Sequence, residues 1–169
     1  MTEEKLYSSS FLSPLGYIRC SASDIGLREI KILGDSDQNL PLDFYHPILN
    51  ACKTQMEEYF NRSRTAFDIP LDFGNATKFF NSVWNILLTI PYGQTLSYGE
   101  IAMQLGDIQK SRAVGMANAR NCIPIIVPCH RVIGSDHSLT GYAYGLEMKL
   151  YLLSLENPQK WAEQTSLFK

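Results

Sequence analysis

The stretch RAVGMANARNCIPIIVPCHRVIG, Arg112–Gly134, sets two unlike pieces of chain end to end. Ser111 can cap a helix running from Arg112 to about Arg120. Ile123–Val127 then reads as a buried extended segment. Pro128 removes an amide hydrogen and restricts the residue before it, so the chain should turn at Cys129. His130 and Arg131 follow without a spacer, placing a base and a cation beside the most nucleophilic side chain type. Neighbouring residues of a strand point to opposite sides, so a water relay would join His130 to the sulfur. The blander reading is a buried structural thiol, which fits Cys20 in a strand and Cys52 on a helix face.

Upstream, Ser97-Tyr98-Gly99-Glu100 has the form of a capping box that opens a short helix to about Leu105. Gly106-Asp107 breaks it, and the Arg112–Arg120 helix follows. Two short helices joined by a tight turn containing glycine have the outline of a helix-turn-helix. Before them, TKFFNSVWNILLTI (Thr77–Ile90) puts Phe80, Val83, Trp84, Leu87 and Leu88 on one face, and Pro91-Tyr92-Gly93 stops it. Downstream, GLEMKLYLLSLE (Gly145–Glu156) is one more helix. The first third reads differently. GYIRCSA (Gly16–Ala22) and LREIKIL (Leu27–Leu33) read as strands around an Asp24-Ile25-Gly26 turn. GDSDQNLPLD (Gly34–Asp43) is a polar loop, His46–Phe60 has helical period with Pro47 in the first turn, and Ala66–Phe73 is extended. The expected division is residues 1–76 and 77–169.

With 169 residues and 45% hydrophobic content, the chain can bury a real core. Its net charge of −2 argues against nucleic acid when taken whole. The charge is uneven, however: residues 1–76 hold seven Lys/Arg against eleven Asp/Glu, and residues 77–169 hold eight against six. The basic excess shares a half with Cys129, and a nucleic-acid footprint needs only a local patch. No C-x-x-C pair occurs among Cys20, Cys52, Cys122 and Cys129, and His46, His130 and His137 show no zinc spacing, so no metal is expected. The start MTEEKLYSSS lacks the form of a signal peptide, and no apolar run has membrane-span length, which points to reduced thiols in a cytosol.

PCHRVIG (Pro128–Gly134), with RAVG (Arg112–Gly115) upstream and LTGYAYGLEMKLYLLSLE (Leu139–Glu156) downstream, closely resembles the alkylguanine-DNA alkyltransferases. VWNILLTIPYGQTLSYGEIA resembles the segment that leads into their helix-turn-helix, and SPLGYIRCSAS with GLREI resembles their N-terminal sheet. Matching is strong over about residues 77–156 and weaker elsewhere. The resemblance implies a small N-terminal α/β domain with an antiparallel, ribonuclease H-like sheet, and a mainly helical C-terminal domain with a helix-turn-helix. It implies a monomer that binds duplex DNA through the minor groove and flips out an O6-alkylated guanine. The alkyl group then moves irreversibly to Cys129. No cofactor, obligate protein partner or membrane is implied, and the location would be cytoplasmic, or nuclear in a eukaryote.

The roles implied by the resemblance are specific. Cys129 is the nucleophile, His130 its base, Glu156 the group that orients His130, and Asn121 a tie between the recognition helix and the active-site strand. Tyr98 bonds the flipped base and helps protonate the departing guanine. Arg112 fills the space the base leaves, and Ser97, Ala113, Ala117 and Ser135 complete the DNA face. Val132, Tyr142, Ala143, Tyr144 and Gly145 form the substrate pocket, with Arg131 and Lys149 as structural support. Singly, each has a plainer reading: a solvated helix start for Arg112, packing for Tyr98, a surface acid for Glu156, a helix C-cap for Asn121. Three departures stand out: Cys122 replaces the family's proline, Tyr144 replaces a glycine and should narrow the alkyl pocket, and Ala143 stands where some members have serine. Two other classes compete, a lesion-binding sensor without transfer and a cysteine hydrolase using Cys129 and His130.

Overall fold

The computed structural model describes residues 5–35 and 45–165. The chain forms two compact units, Met1–Asn75 and Ala76–Lys169. The first is an antiparallel meander of β1 (Tyr7–Ser13), β2 (Gly16–Ala22) and β3 (Leu27–Gly34), with α1 (Pro47–Phe60) packed on it. Ile18, Cys20 and Ala22 alternate inward along β2 and meet Leu49, Cys52, Met56 and Tyr59 of α1, all fully buried. Gly16, at φ +85°, closes the β1–β2 hairpin; a Cβ there would lie 2.5 Å from the Gly34 backbone. Asp72 fixes the end of this unit: it accepts from Ser23 Oγ and Arg28 Nη1 at 2.6 Å each and from Gly74 N at 2.9 Å. The polar loop expected over Gly34–Asp43 lies, beyond Asp35, outside the described residues.

The second unit is mainly helical: α2 (Lys78–Leu88), α3 (Tyr98–Gln104), α4 (Ser111–Ala119), α5 (Leu146–Glu156) and α6 (Pro158–Thr165). Two short strands, β4 (Leu96–Ser97) and β5 (Val132–Ile133), pair in parallel and hold the start of α3 beside the chain that follows Cys129. Val83, Trp84 and Leu87 form the buried stripe of α2. Trp84 Nε1 donates to Ala117 O at 2.8 Å, which locks α2 to α4. α5 is buried along most of its length, and α6 packs against it with Trp161 beside Ile133, Leu150 and Leu153. No described helix is long and apolar enough to cross a membrane.

α3 opens with the expected capping box: Ser97 Oγ accepts from Glu100 N at 3.2 Å, and Glu100 Oε2 accepts from Ser97 N at 2.7 Å. The cap of the second helix differs from expectation. Asp107 caps a single 3-10 turn, Ile108–Lys110, that runs into α4. Ser111 is already helical, and its hydroxyl donates back to Ile108 O at 2.6 Å.

The larger correction concerns Ile123–Val127, which forms no strand. The segment is a buried tight turn: Val127 N donates to Ile123 O at 2.9 Å, and Ile125 sits at φ +75°. A β-branched residue in that region is strained by about 1–2 kcal/mol, so something must hold it there. Asn121 does so, with Oδ1 accepting from Ile123 N at 2.9 Å and Nδ2 donating to Val127 O at 2.8 Å. Cys129–Arg131 is then one 3-10 turn rather than the end of a strand, so the alternation argument for His130 does not apply.

Candidate active site

Cys129 sits on that 3-10 turn, under the helix-turn-helix, with 4% of its surface accessible. Burial pushes its thiol up to about 11, partly offset by a hydrogen bond from Asn121, the charge of Lys149 and the backbone amides of Cys129 and His130. Arg131, expected to help an anion form there, is engaged elsewhere: Nε donates to Glu156 Oε2 at 2.9 Å, Nη2 to Glu156 Oε1 at 3.0 Å and Nη1 to Ile90 O at 2.6 Å. The resting sulfur is therefore a thiol.

Glu156, at the C-terminal end of α5, is the centre of a buried charged cluster. It bonds His130 Nε2 through Oε1 at 2.7 Å, takes the Arg131 fork, and accepts from Gly93 N at 3.0 Å. Burial alone would raise its carboxyl, but the bonds and charges of His130 and Arg131 outweigh it and hold it at about 2. His130 is fully buried, and burial lowers its imidazole below the usual value against the opposing pull of Glu156. A neutral imidazole facing an ionised carboxylate must carry its proton on Nε2. Nδ1 is then the basic nitrogen, and it is buried without a hydrogen-bond partner. Arg131 also lies over the Tyr92 ring, its Cζ 5.9 Å from the centroid.

A cavity of about 220 Å³ opens beside this cluster, lined by Tyr98, Gly115, Asn118, Ala119, Gly141, Tyr142 and Ala143. Tyr98 and Tyr142 both lie within electrostatic reach of the Cys129 sulfur, and burial raises both phenols. Tyr98 Oη donates to Thr140 O at 3.2 Å. Lys149 Nζ donates to the same carbonyl at 2.7 Å and to Gly141 O at 3.2 Å, so one buried cation and one phenol hold the 140–145 loop. Burial lowers the Lys149 ammonium to about 8.

The chain matches two family models: the DNA binding domain of 6-O-methylguanine DNA methyltransferase over residues 78–158 and its ribonuclease-like domain over residues 6–73. It belongs to the 6-O-methylguanine DNA methyltransferase family. The methylated-DNA–protein-cysteine methyltransferase of Methanosarcina acetivorans is 44% identical over 154 residues, 89% of this chain and 98% of that protein. That of Mycobacterium leprae is 56% identical over 106 residues, 63% of this chain and 64% of that protein. The crystal structure of Mycobacterium tuberculosis OGT in complex with DNA superposes with a TM-score of 0.78 at 40% identity, covering 89% of this chain and 92% of that one.

Within this family member, the residues singled out in the sequence fall into four groups. Cys129, His130 and Glu156 form the buried cluster, with Asn121 and Arg131 bonded to its members. Tyr98, Tyr142 and Ala143 line the cavity. Arg112 is exposed on α4 and Ala113 is half-buried. Ser97 and Ser135 border a separate polar groove with Glu100, His137 and Lys160. Four placements correct the expectation. Ala117 is fully buried against Trp84 and presents nothing to a ligand; the exposed face of α4 is Arg112, Met116, Ala119 and Arg120. Val132 is fully buried in β5, outside the cavity lining. Gly145 caps α5 at φ +89° instead of lining the cavity. Tyr144 packs near Tyr142, ring centroids 6.0 Å apart, and is not among the residues that line the cavity.

Asn118 is a polar cavity residue that sequence reasoning missed, as it missed Ala119 and Gly141. Asn118 is 6% exposed, and its Nδ2 donates to Cys129 O at 3.3 Å. The signal was present: Val114, Ala117 and Asn118 share the buried face of α4, and a polar residue in an apolar stripe needs a partner. Among the described residues, no group of three or more His, Cys, Asp or Glu could hold a metal ion.

Proposed function

We propose that this protein repairs O6-alkylguanine in duplex DNA by moving the alkyl group once, irreversibly, onto Cys129. The observation that carries the reading is the buried Cys129–His130–Glu156 cluster at the side of a cavity whose rim is α4. The span Ile108–Asn121 carries Lys110, Arg112 and Arg120 and no acidic residue, which suits a phosphate-rich ligand. A guanine stacked in a duplex cannot present its alkyl carbon to a buried sulfur, so the base must leave the stack. Arg112, exposed at the first turn of α4, fills the gap and pairs with the orphaned partner base through its planar guanidinium.

In the loaded site, His130 Nδ1 takes the Cys129 proton, with Glu156 stabilising the imidazolium that results. The thiolate attacks the alkyl carbon in line with the C–O bond. The S–C bond forms, the C–O6 bond breaks, and the electron pair stays on guanine. Tyr98 donates the proton that neutralises the departing base. Sequence-independent contacts come from the minor groove, and the protein acts as a monomer.

The test is incubation with a duplex carrying one O6-methylguanine, followed by peptide mapping. A single methyl on Cys129, one equivalent per protein, supports repair. Unmodified Cys129 in folded protein that still binds the lesion points to a sensor, and repeated turnover on a small ester or amide points to a hydrolase.

A further inference from the structure

Asn118 occupies the cavity in an unusual state. Its Nδ2 is spent on Cys129 O at 3.3 Å. The amide cannot be turned the other way, because Oδ1 would then face a carbonyl oxygen across that distance. The remaining Oδ1 is buried and has no hydrogen-bond partner. Buried amide oxygens are seldom left without a donor, and this one belongs to a residue that lines the base-sized cavity beside the nucleophile. The Tyr98 phenol, which lies within interaction range of the Asn118 side chain, donates to Thr140 O at 3.2 Å.

We propose that Asn118 is a specificity-determining residue whose Oδ1 accepts a hydrogen bond from the exocyclic amino group of the alkylated base. This rests on the repair reading above and deepens it. An O6-alkylguanine has lost the N1 proton, so its 2-amino group is the donor left on that edge. The cavity supplies the matching acceptor for that donor in Asn118 Oδ1. An O4-alkylated thymine offers only acceptors on the same edge and would bury Oδ1 unpaired. A polar group built to pair with a substrate donor rejects the analogue that lacks it. Because the Asn118 amide is also tied to the Cys129 carbonyl, a base seated on Oδ1 is fixed relative to the sulfur through one side chain.

The test deletes the donor from the substrate and the acceptor from the protein. Single-turnover methyl transfer is measured from matched duplexes carrying O6-methylguanine or O6-methylhypoxanthine, which lacks only the 2-amino group. The wild-type protein should transfer from the guanine lesion at least about tenfold faster, and Asn118→Leu and Asn118→Ala should each shrink that ratio about tenfold. Equal wild-type rates on the two lesions overturn the proposal without any variant. So does a variant with unchanged melting that keeps the wild-type ratio, including one in which both rates fall together, since Asn118 would then only hold the backbone of Cys129. Failure of the wild-type protein to transfer from O6-methylguanine at all sinks the repair reading instead.

Discussion

The resting state of Cys129 leads to a prediction about its reaction with a small thiol reagent in the absence of DNA. Burial raises the thiol from the ordinary 9.0 to about 11. Two pH units cut the thiolate fraction near neutrality about a hundredfold, while the more basic sulfur is about six- to tenfold more nucleophilic once ionised. The net chemistry is about tenfold slower than for an ordinary thiol, before any penalty for 4% accessibility. Cys122, the exposed thiol of the chain, is the internal standard for access. With methyl methanethiosulfonate and peptide mapping at pH 7.5, Cys122 should be modified at least about tenfold faster than Cys129. Labelling of Cys129 should keep rising with pH to about 11. With lesion-bearing duplex and no reagent, the methyl should fall on Cys129 and not on Cys122, because transfer to Cys129 depends on the loaded site. Labelling of Cys129 in the free protein as fast as that of Cys122 would refute the reasoning, since it would mean a sulfur ionised and open at rest.

Replacing Tyr98 by Phe should slow single-turnover transfer about tenfold to a hundredfold with the melting temperature little changed, through loss of the proton donor; an unchanged rate would remove Tyr98 from the chemistry. Arg112→Ala should weaken capture of the lesion by a similar factor in transfer at limiting protein, while labelling of Cys122 stays the same; equal capture would show that Arg112 is only a solvated helix start. Glu156 has a folded value of about 2 against an ordinary 4.5, so its contribution is present above pH 4.5 and is lost as pH falls toward 2. About 3 kcal/mol is at stake, read as a falling urea midpoint, and a midpoint flat from pH 5 to 3 would contradict the buried pairing. Gly93→Ala should destabilise by about 1–2 kcal/mol or more in the same assay. Gly93 sits at φ +76°, and a Cβ would meet Glu156 O at 3.2 Å.

Much of this molecule was legible because its signals are local. The capping box at Ser97–Glu100 needs only four residues, and β2 and β3 declare themselves by alternation. β1 was missed because the consecutive serines Ser9 and Ser10, one on each face and both buried, give no hydrophobic rhythm. α6 was missed because Trp161 alone anchors it to the described core cluster. The turn at Ile123–Val127 was misread for a physical reason. Its composition is that of a strand, and only the two hydrogen bonds of Asn121 hold Ile125 in its strained conformation. In the site, order and resemblance singled out Cys129, His130 and Glu156, and the structure brings these three together. The disposition of Ala117 and Asn118 was not readable, because it depends on which face of a helix each occupies.

The wiring of α4 ties that helix to the turn that carries Cys129. Three side-chain bonds leave α4 or its end for the framework: Trp84 Nε1 to Ala117 O, Asn118 Nδ2 to Cys129 O, and Asn121 Nδ2 to Val127 O. A helix held this way cannot shift on a ligand without moving the turn that carries the sulfur, since packed interiors give little. On the far side, Glu156 and Arg131 pin His130 from elements that α4 does not touch through these bonds. In the proposed reaction the sulfur would therefore sit between a face that meets the ligand and a charged anchor that does not. If Cys129 is used once, as proposed, burial carries no penalty in product release, because nothing has to leave the sulfur. It brings a benefit instead, since a protonated, shielded thiol resists stray electrophiles until a base is seated above it.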